Sequence, residues 1–303
     1  MASGTEKSFA PINRELLRKI RKIEIVTSRK ATEQLAGQYH SVFKGRGMSF
    51  DEVRPYQPGD EIRFIDWNVT ARAGDAYVKR FVEERELTIM LMVDVSASLR
   101  FGSEVEEKRE AAVMIAGLLG FSAVGNNDRV GLILFSDHVE RYVPPKKGRK
   151  HLLRLLTEIL NWSSESRGTD LSAPMEMLSR VTTRKAVAFC ISDFHDAPEA
   201  FLPAVRITSR RHDVVPIIVR DPMEEALPPI GLVPFEDLET GAIRWVDTSS
   251  RSVRGAYQTR NQQSLDALLK SFRRHRVDAI HVVPGGSYDK ALIQFFQLRA
   301  RRL

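Results

Sequence analysis

Three short segments of the sequence carry oxygen ligands beside apolar runs. Asp94, Ser96 and Ser98 alternate by two just after one such run, so an extended loop would turn all three side chains toward one point. The segments Ser192–Asp196 and Gly168–Asp170 supply further carboxylates and hydroxyls. Such a set of hard oxygen ligands suits Mg²⁺ or Mn²⁺. Alone, Asp-x-Ser-x-Ser is equally typical of a serine-rich helix N-cap, so the prediction of a cation site depends on the three segments meeting.

Apolar runs that alternate with amphipathic segments must position these ligands. The predicted strands are Thr88–Val93, Arg129–Phe135, Lys185–Ile191, Val214–Val219 and Ala279–Val283. The predicted helices are Val105–Gly125, Lys150–Leu160, Leu171–Val181, Pro198–Arg211, Tyr257–Arg276 and Tyr288–Leu298, with a hairpin over Leu232–Val246. This alternation is typical of an α/β fold with a mostly parallel central sheet covered by helices on both faces. Because ligands bind beyond the carboxyl ends of such strands, we expect the three segments at one edge of the sheet.

The amino-terminal part has a different sequence pattern from the rest, and the chain divides into three predicted regions. Residues 39–86 contain many turns, with short aromatic or branched segments between them, which indicates a small strand-and-turn module. Residues 1–38 form a basic helical segment, in which Asn13–Ile25 is amphipathic and is expected to dock on its own domain. A helix on a membrane surface is the alternative, so a peripheral membrane contact stays open. Residues 87–303 form the α/β domain.

The composition limits the class of protein. The 303 residues carry a formal net charge of +7, and 43% are hydrophobic and 28% charged, as in a soluble globular protein. Cys190 is the only cysteine, which excludes an internal disulfide, and it lies in a predicted core strand. The first residues lack the apolar core of a signal peptide, so a cytoplasmic protein is expected. The basic excess is mild, and no nucleic-acid partner is expected.

With Asp-x-Ser-x-Ser after an apolar strand, and Gly-Thr-Asp and Ser-Asp in two further loops, the sequence resembles the von Willebrand factor A (vWA) domain and its metal-ion-dependent adhesion site. The resemblance implies a Rossmann-like three-layer sandwich. It assigns the metal ligands, residue by residue, to Asp94, Ser96, Ser98, Thr169 and Asp193. The hydroxyls would ligate Mg²⁺ or Mn²⁺ directly and the carboxylates largely through water. The sixth position would take an acidic side chain of a partner protein.

A longer pattern upstream narrows the resemblance. Its residues, Gly45-Arg46-Gly47, Phe50, Arg54-x-Tyr56-x-x-Gly59-Asp60, Arg63-x-Ile65-Asp66-Trp67 and Ala71-Arg72, resemble the bacterial family called domain of unknown function 58. This resemblance covers about Tyr39 to Val219. It implies a vWA protein encoded beside a MoxR-type AAA+ ATPase, with a role in the assembly or maturation of other proteins. No enzymatic activity is established for the family, so we expect a non-enzymatic adaptor.

The same carboxylates have an enzymatic interpretation as an alternative. Four of them, Asp94, Asp170, Asp193 and Asp196, could hold two ions in a metal-dependent nuclease or phosphoesterase. Two-metal sites usually need bridging carboxylates, whereas hydroxyls dominate this set. The sequence contains no phosphate-binding P-loop, no Gly-x-Ser-x-Gly elbow and no His-Glu-x-x-His pattern. The adaptor interpretation is therefore favoured.

Two further groups of residues have both a functional and a structural interpretation. The charged residues of the upstream pattern, Asp60, Arg63, Asp66 and Arg72, could be catalytic. A structural ion network with Trp67 as its packed lid is favoured instead. His195 follows Asp193 closely and could reach the metal or a partner, although an ordinary loop histidine is at least as good an interpretation.

Overall fold

The computed structural model describes residues 21–27, 35–43, 49–82, 86–100, 107–164, 166, 168–195, 197–236 and 241–302. The part of the amino-terminal helix predicted over residues 13–20, the Gly45-Arg46-Gly47 pattern and Asp196 lie outside these residues. Residues 21–27 are helical, Ile23 belongs to the main hydrophobic cluster, and Thr27 lies against Gly117. This stretch therefore docks on its own domain.

The described elements follow in chain order. Helix α1 (Ala36–Phe43) precedes strands β1 (Ser49–Pro55) and β2 (Tyr77–Val82), which flank a 3-10 turn (Ile62–Phe64) and helix α2 (Trp67–Ala73). Next come β3 (Thr88–Asp94), a 3-10 turn (Ala97–Arg100), α3 (Lys108–Gly125), β4 (Arg129–Phe135), β5 (Val139–Lys146), α4 (Arg149–Asn161), α5 (Ser172–Val181), β6 (Val187–Ser192), α6 (Pro198–Thr208) and β7 (Asp213–Val219). The last elements are α7 (Pro222–Glu225), β8 (Leu232–Glu236), β9 (Ile243–Asp247), α8 (Arg251–Arg274), β10 (Ile280–Val282) and α9 (Tyr288–Ala300).

Six strands form the central sheet in the order β10-β7-β6-β3-β4-β5. Neighbouring strands run parallel, except that β5 pairs antiparallel with β4 at one edge. This is the order of a doubly wound α/β sheet, in which the direction of winding reverses between β3 and β6. The predicted fold class, a Rossmann-like three-layer sandwich with a mostly parallel central sheet, is confirmed.

Helices cover both faces of this sheet. Residues of α1, α3, α4 and α9 form one hydrophobic cluster with the sheet, and residues of α5, α6 and α8 form a second. Within β3, Leu91 and Val93 belong to the first cluster, and Met90 and Met92 belong to the second. A strand buried on both faces needs a nearly continuous apolar run, which is why the sequence predicts it so clearly. Among the described helices, none combines the length and the apolar character needed to cross a lipid bilayer.

Strand β5 is the one strand of the central sheet that the sequence pattern does not predict. Its residues include the consecutive prolines Pro144 and Pro145 and the charged pair Glu140 and Arg141. Proline cannot donate to a ladder of hydrogen bonds, so a run that contains it does not resemble a strand. At the edge of the sheet one side of the strand has no neighbour to satisfy, and the prolines are tolerated there.

The boundary predicted between residues 38 and 39 falls inside helix α1. Tyr39 and Phe43 are both buried on the main domain, where the rings of Phe43 and Phe296 lie 5.5 Å apart. Tyr39 Oη also donates a hydrogen bond of 3.0 Å to Asp128 Oδ2. Helix α1 therefore belongs with the α/β domain, and the strand-and-turn module begins at β1.

The module is built on a separate antiparallel sheet of β1 and β2. Arg54 donates hydrogen bonds of 2.9 and 2.7 Å to the two carboxylate oxygens of Asp60, and Asp66 accepts from two backbone N–H groups at the start of α2. These contacts fit a structural ion network. The prediction that Trp67 is a packed lid is wrong, because its residue surface is 66% exposed. Helix α2, which begins at Trp67, has no buried residue, so it does not pack into an interior that could enclose the indole.

The predicted hairpin is present as an antiparallel ribbon of β8 and β9, separate from the central sheet. Residues 237–240, which contain most of its turn, lie outside the described residues. Leu232, Ile243 and Trp245 are all exposed, and Trp245 is paired with Pro234 across the ribbon. Strand residues two apart share a face, so these side chains form one apolar surface on the ribbon.

Candidate divalent-cation site

Parallel pairing brings the carboxyl ends of three strands together. In the register of the sheet, Asp94 lies opposite Phe135 of β4, and Val93 lies opposite Ile191 of β6. Asp94 and the residues that follow Ile191 therefore reach the same edge of the sheet. This edge, at the point where the winding reverses, is where doubly wound sheets bind their ligands.

Asp94 is buried at this edge and accepts hydrogen bonds on both carboxylate oxygens. Ser96 N donates to Asp94 Oδ1 over 2.9 Å, and Ser192 Oγ donates to Asp94 Oδ2 over 2.7 Å. Burial, followed by the negative charge of Asp193, raises the pKa of Asp94 to about 7 despite these donors. A cation beside Asp94 would reverse this effect, because it stabilises the ionised carboxylate.

Two serines link Asp94 to Asp193. The Oγ atoms of Ser96 and Ser98 lie 3.0 Å apart. The Ser96 side chain also hydrogen bonds to Asp94, and the Ser98 side chain hydrogen bonds to Asp193. Four of the five predicted ligands thus form one continuous group of carboxylates and hydroxyls, which fits the oxygen chemistry of Mg²⁺ or Mn²⁺.

Thr169, the fifth predicted ligand, lies in the segment next to the end of β4. Asp170 N donates a hydrogen bond of 2.7 Å to Ser136 O, which ties this segment to the strand adjacent to β3. Within the part of the chain that the structure describes, the Thr169 side chain makes no hydrogen bond to the other four predicted ligands. The Asp170 carboxylate accepts from Ser172 N over 2.8 Å, so it is already engaged with the backbone at the start of α5.

A buried lysine lies next to the predicted ligands, and sequence reasoning missed it. Lys108 begins α3, is fully buried, and donates a hydrogen bond of 3.0 Å to Asp193 Oδ2 and another to Glu224 Oε1. Burial opposes ionisation of Asp193 most strongly, but the charge of Lys108, the charge of His195 and the hydrogen bonds from Lys108 and Ser98 together outweigh it and hold the pKa of Asp193 below its ordinary value. In the sequence, Lys108 stands in the charged run Glu104 to Glu110, which is typical of a solvated helix start.

Glu224 and His195 complete this cluster. His195 Nε2 lies 3.4 Å from Glu224 Oε1 and 3.9 Å from Asp193 Oδ2. Asp193, His195 and Glu224 offer ligand atoms within 4.8 Å of one another, and such a group could hold a metal ion. Glu224 was not predicted, although Asp221-x-x-Glu224 directly follows a strand and forms a capping box at α7. That pattern locates a helix start and says nothing about a ligand.

Arg220 fixes the loop that carries Asp193. Its buried side chain donates hydrogen bonds of 3.2 Å to the carbonyl oxygens of Asp193 and Phe194. Phe194 has φ of 51°, a left-handed conformation that is uncommon for a residue other than glycine. Phe194 N also donates to Ser192 Oγ over 3.2 Å. The backbone around Asp193 is therefore held in one conformation by partners on both sides.

The interpretation of Cys190 as a packing residue agrees with its surroundings. Cys190 is fully buried in β6, and burial raises the pKa of its thiol far above the ordinary value. A thiol of this kind is protonated at neutral pH and does not provide a reactive thiolate. Among the described residues, the chemistry at this edge of the sheet is therefore that of oxygen ligands, the His195 imidazole and the Lys108 ammonium.

Comparison with known proteins places the chain in a family. Residues 52–267 match the family described as Protein of unknown function DUF58. An uncharacterized protein of Mycobacterium tuberculosis is 35% identical over 227 residues, which are 74% of this chain and 71% of that relative. An uncharacterized protein of Mycobacterium avium is 30% identical over 143 residues, which are 46% of this chain and 77% of the relative.

Several solved structures are also similar at low sequence identity. An aerotolerance-related membrane protein from Bacteroides fragilis gives a TM-score of 0.49 at 16% identity, with 72% of this chain and 100% of that chain covered. The family match spans the strand-and-turn module from residue 52 and continues into helix α8, so it includes all five predicted metal ligands. This chain therefore belongs to the DUF58 family of proteins of unknown function.

Proposed function

We propose that this chain is a non-enzymatic adaptor that binds a partner protein through a divalent cation. Mg²⁺ or Mn²⁺ would be held by the predicted ligands Asp94, Ser96, Ser98, Thr169 and Asp193, and an acidic side chain of the partner would complete the coordination. The observation that carries this proposal is the pair of buried carboxylates, Asp94 and Asp193, joined through two serine hydroxyls at the carboxyl edge of the sheet.

The charges around the site favour a cation first and an acidic ligand second. Asp94, Asp193 and Glu224 contribute three negative charges, and Lys108 and Arg220 contribute two positive charges, so the ionised group carries one net negative charge. A divalent cation changes that balance to one net positive charge. When bound, the ion would supply an electrophilic coordination position, and a carboxylate from the partner is the group such a position attracts.

The ribbon of β8 and β9 supports a protein as the partner. Leu232, Ile243 and Trp245 form its exposed apolar surface, and exposed apolar surfaces of this kind mark interaction sites on soluble proteins. Arg244 of β9 and Arg251 at the start of α8 are both exposed. Neither arginine forms an ion pair with any residue that the structure describes. A partner segment that carries both apolar and acidic residues would satisfy this surface and the cation together.

The family resemblance suggests the class of the partner. A MoxR-type AAA+ ATPase encoded beside this chain would be the first candidate, and the pair would act in the cytoplasm in the assembly or maturation of other protein complexes. The adaptor would then present client proteins, or its own apolar surface, to the ATPase. The first test is therefore whether a MoxR-type ATPase gene lies next to the gene of this chain. The ATPase that such a gene encodes is the protein to use in a binding experiment.

The decisive experiment is capture of that ATPase by the purified chain in Mg²⁺ and in EDTA. We expect capture in Mg²⁺, and at least a tenfold loss in EDTA or with Asp94→Ala. Asp266→Ala, which removes an exposed carboxylate of α8, is the matched control and should bind as the unaltered chain does. Capture of equal strength in Mg²⁺ and EDTA would contradict the metal bridge.

The phosphoesterase alternative makes a different prediction. It requires hydrolysis of a phosphodiester, such as bis(p-nitrophenyl) phosphate, in the presence of Mn²⁺. It also requires that the turnover disappear in Asp94→Ala. Turnover with these properties would replace the adaptor proposal by an enzymatic one, whereas an inactive protein that binds Mn²⁺ would support the adaptor.

A further inference from the structure

Lys108 lies at the centre of the acidic cluster beside the predicted cation site. Its ammonium bonds to Asp193 Oδ2 and Glu224 Oε1, the same two oxygen atoms that His195 Nε2 approaches at 3.9 and 3.4 Å. We infer that Asp193, His195 and Glu224 form a second cation site, which the chain fills with its own Lys108 ammonium, and that this lysine keeps metal ions out of it. The inference depends on the contacts of Lys108 and holds whether or not Asp94 binds Mg²⁺.

The position of the ammonium is that of a cation among ligands. Three groups with lone pairs converge on one small volume, with their ligand atoms within 4.8 Å of one another. Lys108 has no exposed surface, whereas the His195 side chain is nearly half exposed. The ammonium therefore enters from the protein interior, and the cluster borders solvent at His195. A metal ion could reach the ligands from that side if the ammonium were absent.

The charge of Lys108 is maintained by its two partners. Burial alone would favour the neutral amine, but Asp193 and Glu224 outweigh it and raise the pKa of Lys108 above its ordinary value. The ammonium pairs with both carboxylates at once. Without it, the two largely buried carboxylates would lose the cation that contacts both of them, which is strongly unfavourable.

The chemistry of the cluster differs from that of the neighbouring site. Hydroxyls and carboxylates at Asp94, Ser96 and Ser98 suit hard ions such as Mg²⁺. An imidazole with two carboxylates suits Zn²⁺, which binds three protein ligands and a water in open sites. By filling the cluster, Lys108 would restrict this edge of the sheet to a hard ion and prevent Zn²⁺ from binding to Asp193 together with His195 and Glu224.

Replacement of the ammonium by an apolar group of similar length tests this inference. In Lys108→Met we expect the melting temperature in EDTA to fall by about 10 °C, because the two carboxylates lose their counter-charge. We expect Zn²⁺ to restore most of that loss and to bind at least tenfold more tightly than to the unaltered chain. Isothermal titration calorimetry and thermal unfolding measure the two effects.

Three further variants test whether the added Zn²⁺ affinity comes from this cluster. Lys108→Met with His195→Ala should lose the added affinity, because it lacks the imidazole. Lys108→Met with Asp94→Ala should keep it, because Asp94 is not a ligand of this cluster. Lys270→Met, at an exposed lysine of α8, should change neither the melting temperature nor the affinity for Zn²⁺.

Two results would overturn the inference. One is a Lys108→Met protein as stable in EDTA as the unaltered chain and with the same affinity for Zn²⁺. The other is an unaltered chain that already binds Zn²⁺ through His195. If Lys108→Met does not fold without metal, refolding in Zn²⁺ and the double variant Lys108→Met/Asp193→Asn decide the question. The double variant should fold in EDTA and gain no Zn²⁺ affinity. The inference is also rejected if Lys108→Met does not refold in Zn²⁺ and the double variant does not show this behaviour.

Discussion

Ser192 Oγ donates a hydrogen bond of 2.7 Å to Asp94 Oδ2 across two strands whose residues are 98 positions apart in the chain. Ser192 Oγ also accepts a hydrogen bond of 3.2 Å from Phe194 N. One hydroxyl thus orients the carboxylate at the end of β3 and also fixes the loop that carries Asp193. Ser192 is not a predicted metal ligand, yet it sets the geometry of two of them.

Removal of this hydroxyl should weaken cation binding without altering the ligands. In Ser192→Ala, Asp94 loses a donor that favours its ionised form, so its pKa should rise further and its affinity for Mg²⁺ at pH 7 should fall by about tenfold. The free energy of unfolding should also fall by about 1 kcal/mol, because Phe194 N loses its acceptor.

Calorimetric titration with Mg²⁺ and urea denaturation check these two effects. Ser209→Ala is the control, because Ser209 Oγ is buried without a hydrogen-bond partner among the described residues. It should leave the affinity for Mg²⁺ unchanged. Equal affinities in Ser192→Ala and the unaltered chain would show that the Ser192 hydroxyl does not orient Asp94.

The raised pKa of Asp94 predicts how stability depends on pH when no metal is bound. The pKa is about 7 in the folded protein, compared with 3.8 for an ordinary Asp, so the folded state retains a proton between these values that the unfolded chain has lost. The free energy of unfolding therefore decreases as the pH rises through this window, by up to about 4 kcal/mol. Below pH 4 the effect is absent, and above pH 7 it is complete.

Asp94→Asn removes this titration and isolates its contribution. In EDTA, the variant should gain stability relative to the unaltered chain as the pH is raised from 5 to 8, because its amide carries no charge to bury. In Mg²⁺ at pH 8 the difference in the free energy of unfolding between the two proteins should become smaller or change sign, since only the carboxylate is stabilised by the cation. Urea denaturation at the two pH values provides the measurement, and parallel pH profiles for both proteins would contradict the assignment.

The sequence predicts the elements of the main sheet because their signals are local. The runs Thr88–Val93 and Arg129–Phe135 are apolar after their first residue, and β3 and β4 begin at the same residues as these predictions. Strand β5 escapes prediction because its prolines are acceptable only at an edge, and the position of an edge is a property of the whole sheet. Trp67 misleads in the opposite direction, since an aromatic residue among charges is typical of a small core, and helix α2, which begins at Trp67, has no buried residue.

In the candidate site, too, contacts between residues close in sequence can be predicted, whereas contacts between distant segments cannot. Asp94, Ser96 and Ser98 are close in sequence, and the Oγ atoms of the two serines do meet, although Ser98 lies in the 3-10 turn Ala97–Arg100 and not in the extended loop that the spacing predicts. Lys108 contacts Asp193 and Glu224, which are 85 and 116 residues further along the chain, and no local sequence pattern predicts these contacts. This buried ion cluster is built from three segments of the fold, so its three members look like solvated surface charges until the structure brings them together.

The helix that positions Lys108 provides a prediction about packing. A Cβ atom at Gly120 of α3 would lie 2.3 Å from Leu152 Cδ1 of α4, so Gly120→Ala should force the leucine out of its position and destabilise the protein by about 1–3 kcal/mol. A Cβ atom at Gly125, at the end of the same helix, has nothing within 4 Å. Gly125→Ala should therefore be neutral or stabilise the helix by up to about 1 kcal/mol. Thermal unfolding of the two variants compares them directly, and equal melting temperatures would show that α3 and α4 adjust without cost.

The apolar surface of the β8 and β9 ribbon should contribute to partner binding and not to folding. Ile243 is 62% exposed, so Ile243→Ser removes little buried area and should leave the melting temperature unchanged. Capture of the ATPase in Mg²⁺ should nevertheless fall at least tenfold, because the partner loses an apolar contact and must desolvate a hydroxyl. Ile207 of α6 is 65% exposed and lies outside the ribbon, so Ile207→Ser is a matched control that should retain full capture. If Ile243→Ser captures the partner normally while Asp94→Ala does not, the cation site binds the partner without the ribbon.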